Sequence, residues 1–171
     1  MKYNSDLTTG SIPKLIKKIA LPASIGFFFN TMYNVVDTFY AGLISTEALA
    51  ALSITFPVFF IIIALGAGMG TGTTALIANA LGANQNKKAK LYSIQAITLG
   101  GFIGLVASVV GILFSPFLFG ILGASGNYLE LALSYINIIF LSGVFFILTF
   151  ILNGILNAHG DTKSFRNYLI I

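Results

Sequence analysis

The stretch FFFNTMYNVVDTFYAG, Phe27–Gly42, decides how this chain is interpreted. It has the apolar character of a membrane span, yet it contains one acidic residue, Asp37. A carboxylate in hydrocarbon costs about 2.5–3.5 kcal/mol on insertion scales, and intramembrane carboxylates nearly always face a bundle interior or a wet cavity. The stretch therefore predicts a transmembrane helix with one side turned away from lipid.

The composition supports the same interpretation for the whole chain. Charged residues make up only 8% of the 171 residues, whereas soluble domains have about 25%. The chain has no cysteine, which excludes disulfides and thiolate metal sites. Between the charges lie uncharged runs long enough for helices of about 20 residues. They predict an all-α polytopic bundle with spans at 15–43, 48–82, 91–122 and 129–158, and a fifth beginning near 167. Because the sequence stops inside that fifth span, we expect residues 1–171 to be a truncated piece of a longer protein.

The basic residues predict the orientation in the membrane. All nine lie before or at the start of the first span, after the second or after the fourth: Lys2, Lys14, Lys17, Lys18, Lys87, Lys88, Lys90, Lys163 and Arg166. By the positive-inside rule the N-terminus is cytoplasmic and the protein is a multi-pass component of the cell (plasma or inner) membrane. Topology thus explains the net charge of +4 without a nucleic-acid partner.

The first span has a polar face. On a helical wheel, Asn30, Tyr33, Asn34 and Asp37 fall within an arc of about 100°. Tyr33 lies one turn before Asp37, so its hydroxyl is placed to donate to the carboxylate. Two interpretations stay open: Asp37 exchanges a proton or binds Na⁺, or it is structural and pairs with a donor on another helix. No Lys or Arg lies in the apolar run Ile19–Leu43 or inside another predicted span to neutralise it.

A second polar stripe marks the fourth span. Its members share one helix face: Ser142, Thr149, Asn153 and Asn157. Buried amides often hydrogen-bond between helices, and they can also line a cavity, so the stripe alone favours neither role. Pro22, near the cytoplasmic end of the first span, removes a backbone hydrogen bond and predicts a kink.

The glycine-rich segment GAGMGTGTT, Gly66–Thr74, matches neither of the common nucleotide-binding loops. Its spacing is instead that of small residues at helix interfaces, with Gly66 and Gly70 in one register and Gly68 and Gly72 in another. Close helix packing is the expected result.

Four stretches resemble one transporter family: Leu21–Ser45, Ala48–Ile61, Gly66–Ala89 and Leu152–Lys163. Together they are similar to the N-terminal third of multidrug and toxic compound extrusion (MATE) transporters. The resemblance implies part of the N-terminal lobe of a twelve-helix, two-lobe protein that is not an enzyme. It also implies export of amphipathic cationic drugs or dyes by alternating access, driven by Na⁺ or H⁺ and without any other cofactor. The partners are then membrane lipids and the C-terminal lobe.

The resemblance also assigns roles to residues. Asp37 takes the place of the cation-coupling aspartate, with Na⁺ as a possible ligand, while Tyr33 and Asn153 match coupling residues and Pro22 matches a bending proline. Further cavity-lining candidates come from the two polar stripes: Asn30, Asn34, Thr149 and Asn157.

Two other classes of function remain as alternatives. A flippase for lipid-linked precursors or polysaccharides of the same superfamily would need a groove lined by Arg or Lys. An integral membrane enzyme would need a second catalytic group beside Asp37.

Overall fold

The computed structural model describes residues 11–161 and 164, with five helices and no strand among them. The helices are α1 (Ile12–Ile44), α2 (Thr46–Gly82), α3 (Asn86–Ile121), α4 (Gly126–Leu141) and α5 (Gly143–Ala158). Single-residue and short polar connections separate them, so successive helices run antiparallel except at the α4–α5 junction. The all-α prediction is confirmed, and the predicted start of a fifth span near 167 lies outside the described residues.

Two of the helices, α2 and α3, are long and apolar enough to cross a membrane, as judged from the described residues. A third crossing is obtained if α4 and α5 are taken as one span. That pair is bent by 48° at Ser142, whereas the sequence predicted a single span over 129–158. Helix α1 covers the predicted 15–43.

The buried core lies where α2, α3 and α4 meet. Its fully or almost fully buried apolar side chains are Ala51, Val58, Ile62, Phe119, Ala124, Ala132, Ile136 and Phe140. The start of α2 is fixed by Ser45, whose side chain accepts a hydrogen bond of 2.9 Å from the Ala48 amide. Such an N-cap satisfies a donor that the helix itself leaves unpaired.

Helix α5 lies close enough to α2 for their backbones to meet at glycines, in addition to side-chain contacts. A Cβ atom added at Gly70 would lie 2.7 Å from the carbonyl oxygen of Phe150. The Thr74 hydroxyl donates to the Gly154 carbonyl at 3.0 Å across the same interface. Glycine is therefore required at these positions because any side chain would separate the two helices.

The two overlapping glycine registers behave differently. Gly66 and Gly70 both face Phe150, whereas added Cβ atoms at Gly68 and Gly72 would meet nothing within 4 Å in the described chain. Gly100 and Gly104 of α3 also approach α5 closely. The expected close packing is thus confined to one face of α2, and spacing alone did not indicate which face.

Gly70→Ala is expected to destabilise the protein by about 1–3 kcal/mol, the usual cost of overpacking, because the obstructing atom is a backbone oxygen. The matched control is Gly72→Ala, two residues along the same helix, where space is open and alanine favours helix formation. The measurement is the thermal unfolding midpoint of each purified variant in detergent. Equal midpoints for the two variants would contradict the packing described above.

Candidate functional site

A cavity of about 460 Å³ lies between α1, α2, α4 and α5. Its lining residues are Tyr33, Asn34, Val36, Asp37, Tyr40, Phe59, Tyr135, Ile139 and Phe146. Five of these nine side chains are aromatic and one is a carboxylate. The cavity is therefore mostly apolar with one point of negative charge, a character suited to a small amphipathic ligand.

Asp37 is held at the cavity wall by a residue from a distant part of the chain. The Tyr135 hydroxyl, on α4, donates to Asp37 Oδ2 at 2.5 Å. A length of 2.5–2.7 Å is typical of an O–H donor bonded to an ionised oxygen, one of the stronger protein hydrogen bonds. The bond ties the C-terminal part of α1 to the middle of α4.

The sequence did not single out Tyr135. It is only the seventh residue of the predicted fourth span, 129–158, and so lies near the end where tyrosines of an interfacial belt are found. Its position therefore gave no signal of a partner for the hydroxyl. The wheel of one helix does not show a pairing between residues 98 positions apart.

The predicted polar face of α1 meets the cavity in part. Tyr33 and Asn34 line it together with Asp37, and Tyr40 extends the same face by one turn. On the opposite side Phe39 is 62% exposed, and on the cavity side Tyr33 and Tyr40 are 56% and 61% exposed, so exposure alone does not distinguish the two faces. The side chains of Asn30 and Pro22 lie outside the described part, although the α1 backbone is helical at both positions.

The predicted polar residues of the fourth span lie elsewhere in α5. Thr149, Asn153 and Asn157 are not among the described residues that line the cavity. The Thr149 hydroxyl donates to the Phe145 carbonyl at 2.8 Å within its own helix. Asn153 Oδ1 is buried with no hydrogen-bond partner in the described chain. A coupling role for Asn153 thus stays a prediction, without a contact to Asp37 to support it.

The electrostatics of the cavity are set by Asp37. Among the described lining residues it is the single charged group, and the other titratable ones are the tyrosines at 33, 40 and 135. The described chain contains no cluster of three or more His, Cys, Asp or Glu residues of the kind that holds a transition metal. Oxygen atoms of Asp37 and Asn34 are the ligand type that a hard cation such as Na⁺ prefers.

The geometry bears on both interpretations of Asp37. The bond from Tyr135 supplies the partner on another helix that a structural carboxylate requires. The cavity supplies the accessible space that ion or substrate binding requires, and aromatic faces attract organic cations. The arrangement can hold a proton, Na⁺ or an organic cation at one carboxylate.

Comparison with known proteins places these features in a family. The sequence model of the MatE family matches residues 22–171. The chain is 34% identical over 148 residues to the multidrug export protein MepA of Staphylococcus aureus (strain MRSA252), covering 86% of this chain and 33% of MepA. It is 30% identical over 164 residues to an FAD transporter of Shewanella oneidensis, covering 96% of this chain and 36% of that protein. The chain spans about a third of the length of these relatives.

Solved structures have the same fold. An outward-facing multidrug resistance MATE family transporter of the MOP superfamily superposes with a TM-score of 0.89 at 30% identity, over 96% of this chain and 36% of that one. A MATE structure described as the bent conformation gives 0.90 over 99% of this chain and 38% of that one, also at 30% identity. The arrangement of α1–α5 is therefore shared with transporter structures in more than one state.

Proposed function

Because the chain belongs to the MatE family of transporters, we propose that it forms part of a cation-coupled exporter of amphipathic organic cations. The observation that carries the proposal is Asp37, held by Tyr135 at the wall of an aromatic cavity. We further propose that the exporter uses alternating access and takes up Na⁺ or H⁺ in exchange. The multidrug export function named for MepA supports the substrate class.

The cavity suits a cation with a flat apolar body. A positive group gains from the Asp37 carboxylate, while aromatic rings such as Phe59 and Phe146 receive the apolar part. These two rings form an edge-to-face pair with centroids 5.6 Å apart, which gives one wall a fixed shape. Binding by shape and charge, with few directional bonds, tolerates many ligands of similar character.

Exchange follows if the coupling ion and the substrate use the same carboxylate. A proton or Na⁺ on Asp37 neutralises it and removes the attraction for a cationic substrate. A proton turns the carboxylate into a neutral acceptor for the Tyr135 hydroxyl, and Na⁺ competes with that hydroxyl for the carboxylate oxygens. Each ligand shifts the balance between two states only by its differential affinity for them, so mutual exclusion at Asp37 couples their movements.

The proposed setting is the cell membrane with a cytoplasmic N-terminus, as the distribution of basic residues predicts. The other proposed partners of this chain are membrane lipids and a second lobe of the same protein. The relatives are about three times as long as this chain, which is long enough to include such a lobe. Neither an enzyme cofactor nor nucleic acid enters the proposal.

One relative favours a different substrate. The FAD transporter carries a name that implies an anionic cargo, and a flippase for lipid-linked precursors would carry a similar charge. An anion needs Arg or Lys at its site, and none lines the cavity among the described residues. The charge of this cavity therefore favours cations, with anion transport as the second candidate.

Dye efflux by the full-length gene product tests the proposal. In vesicles loaded with ethidium, an imposed Na⁺ or proton gradient is expected to raise the initial efflux rate roughly tenfold or more over vesicles without the protein. The gradient that succeeds identifies the coupling ion. Vesicles loaded with FAD are the parallel measurement, and flavin export without ethidium export would replace this proposal with the anionic alternative.

A further inference from the structure

The break between α4 and α5 lies in the wall of the cavity. Ile139, three residues before Ser142, and Phe146, four residues after it, both line the cavity. The helix axes differ by 48° at this point, so the angle sets how far apart the two lining residues lie. A change in the angle therefore changes the shape of the site itself.

The two halves of this bent span are held differently. Helix α5 is fixed to α2 by backbone contact at Gly70 and by the Thr74–Gly154 hydrogen bond. Helix α4 packs through side chains, among them the buried Ile136 and Phe140. Side chains can slide past one another in small shear movements, and helices that pack through them can shift. Close backbone contacts at glycines leave no room for such sliding. Of the two halves, α4 is therefore the one that a small shear movement can tilt while its side chains stay within the core.

Helix α4 is also the half that contacts the charged group. Tyr135 lies seven residues before Ser142 and bonds to Asp37. Facing Asp37 are Tyr33 and Tyr40 from α1, Tyr135 from α4, and the uncharged rings of Phe59 and Phe146 from α2 and α5. A cation bound at Asp37 therefore affects α4 through one hydrogen bond among the described lining residues, the bond from Tyr135.

A buried hydroxyl beside the break lacks a partner. Ser108 on α3 is 7% exposed, and its Oγ makes no hydrogen bond within the described chain. Other hydroxyls of the same helix, those of Ser93 and Thr98, donate to the carbonyl four residues earlier. A Cβ added at Gly143, the first residue of α5, would lie 2.7 Å from Ser108 Oγ. An unsatisfied buried group of this kind requires an explanation, and a second state in which it is paired provides one.

We propose that Ser142–Gly143 is a hinge and that α4 tilts against α5 when a proton or Na⁺ occupies Asp37. In the tilted state the Ser108 hydroxyl bonds to a backbone carbonyl at the end of α4. The inference rests on the proposed function, since it assumes that Asp37 exchanges a cation. It adds a moving element, located in the fourth span and controlled through Tyr135.

Spin labels on either side of the break measure the tilt directly. Glu130 on α4 and Leu152 on α5 are exposed, and the chain has no cysteine to compete for the label. At 1.5 Å per residue, straightening the span would lengthen the distance between these backbone positions by about 3 Å. In the full-length gene product labelled at both positions, the distance is expected to change when saturating Na⁺ or acid pH is applied. Adding Tyr135→Phe is expected to abolish the change.

Gly143→Ala tests the hinge by a second route. Its methyl group would press on Ser108 Oγ and is expected to slow ethidium efflux roughly fivefold or more and to restrict the distance change. Adding Ser108→Ala removes the obstructing oxygen, because the nearest remaining Ser108 atom is Cβ at 3.9 Å. It is expected to restore most of the efflux rate and of the distance change, but less than all, because the tilted state also loses the Ser108 hydrogen bond. The control is Gly101→Ala on α3, where an added Cβ meets nothing within 4 Å in the described chain.

The outcomes separate the two proposals. A wild-type protein that shows no gradient-driven efflux of ethidium contradicts the proposed function. A protein that exports ethidium while its labelled distance stays constant under every ion condition contradicts the hinge. Loss of efflux in Gly143→Ala that Ser108→Ala does not restore also counts against the hinge.

Discussion

Asp37→Asn is expected to lower gradient-driven ethidium efflux at least tenfold, to near the rate of vesicles without the protein. The amide keeps the shape of the side chain but has no charge to attract a cation and no proton to exchange. Its oxygen still accepts the Tyr135 hydrogen bond, so the α1–α4 contact is preserved while the chemistry is removed. The measurement is the initial efflux rate under the gradient that drives the wild type, at matched protein levels.

The control for this substitution is Glu130→Gln. It removes one negative charge from an exposed position on α4 that does not line the cavity. If Asp37→Asn exports ethidium as fast as Glu130→Gln, the carboxylate is a structural partner of Tyr135. Coupling would then have to reside in parts of the protein beyond these helices.

Tyr135→Phe is expected to lower the cation concentration that gives half-maximal efflux by about tenfold or more. A hydrogen bond to a charged group contributes about 1.5–3 kcal/mol, and 1.4 kcal/mol corresponds to a factor of ten. The hydroxyl donates to the ionised carboxylate and so opposes cation binding, and phenylalanine removes only that oxygen. The measurement is efflux rate against Na⁺ or proton concentration.

Tyr128→Phe is the matched control for Tyr135→Phe. The Tyr128 hydroxyl, earlier in α4, donates to the Ala50 carbonyl at 3.4 Å and does not line the cavity. Its loss is expected to leave the ion dependence unchanged. A Tyr135→Phe profile that coincides with that of Tyr128→Phe would exclude Tyr135 as the residue that tunes Asp37.

The sequence was sufficient for features that depend on one helix at a time. The all-α class followed from the scarcity of charge, and the clustering of Tyr33, Asn34 and Asp37 followed from helical periodicity. Features that depend on two helices were not accessible in this way. The Tyr135–Asp37 bond and the choice of Gly70 over Gly72 at the α2–α5 interface both require the rotation of one helix against another.

The break at Ser142 also escaped sequence analysis, for a different physical reason. Prolines usually mark kinks, yet Pro57 and Pro116 lie inside the continuous helices α2 and α3. The bend occurs instead at a serine followed by a glycine. The direction of α5 after the bend depends on its packing against α2 and α3. Such packing cannot be inferred from the local helix propensity of the sequence.

The contact between Gly70 and α5 has a consequence for biosynthesis. Thr74 and its partner Gly154 are separated by 80 residues along the chain. At 5–20 residues per second, the ribosome needs about 4–16 s to reach the second after making the first. During that interval the glycine face of α2 has left the ribosome without the helix that covers it. The close α2–α5 contact therefore forms only several seconds after α2 has been synthesised.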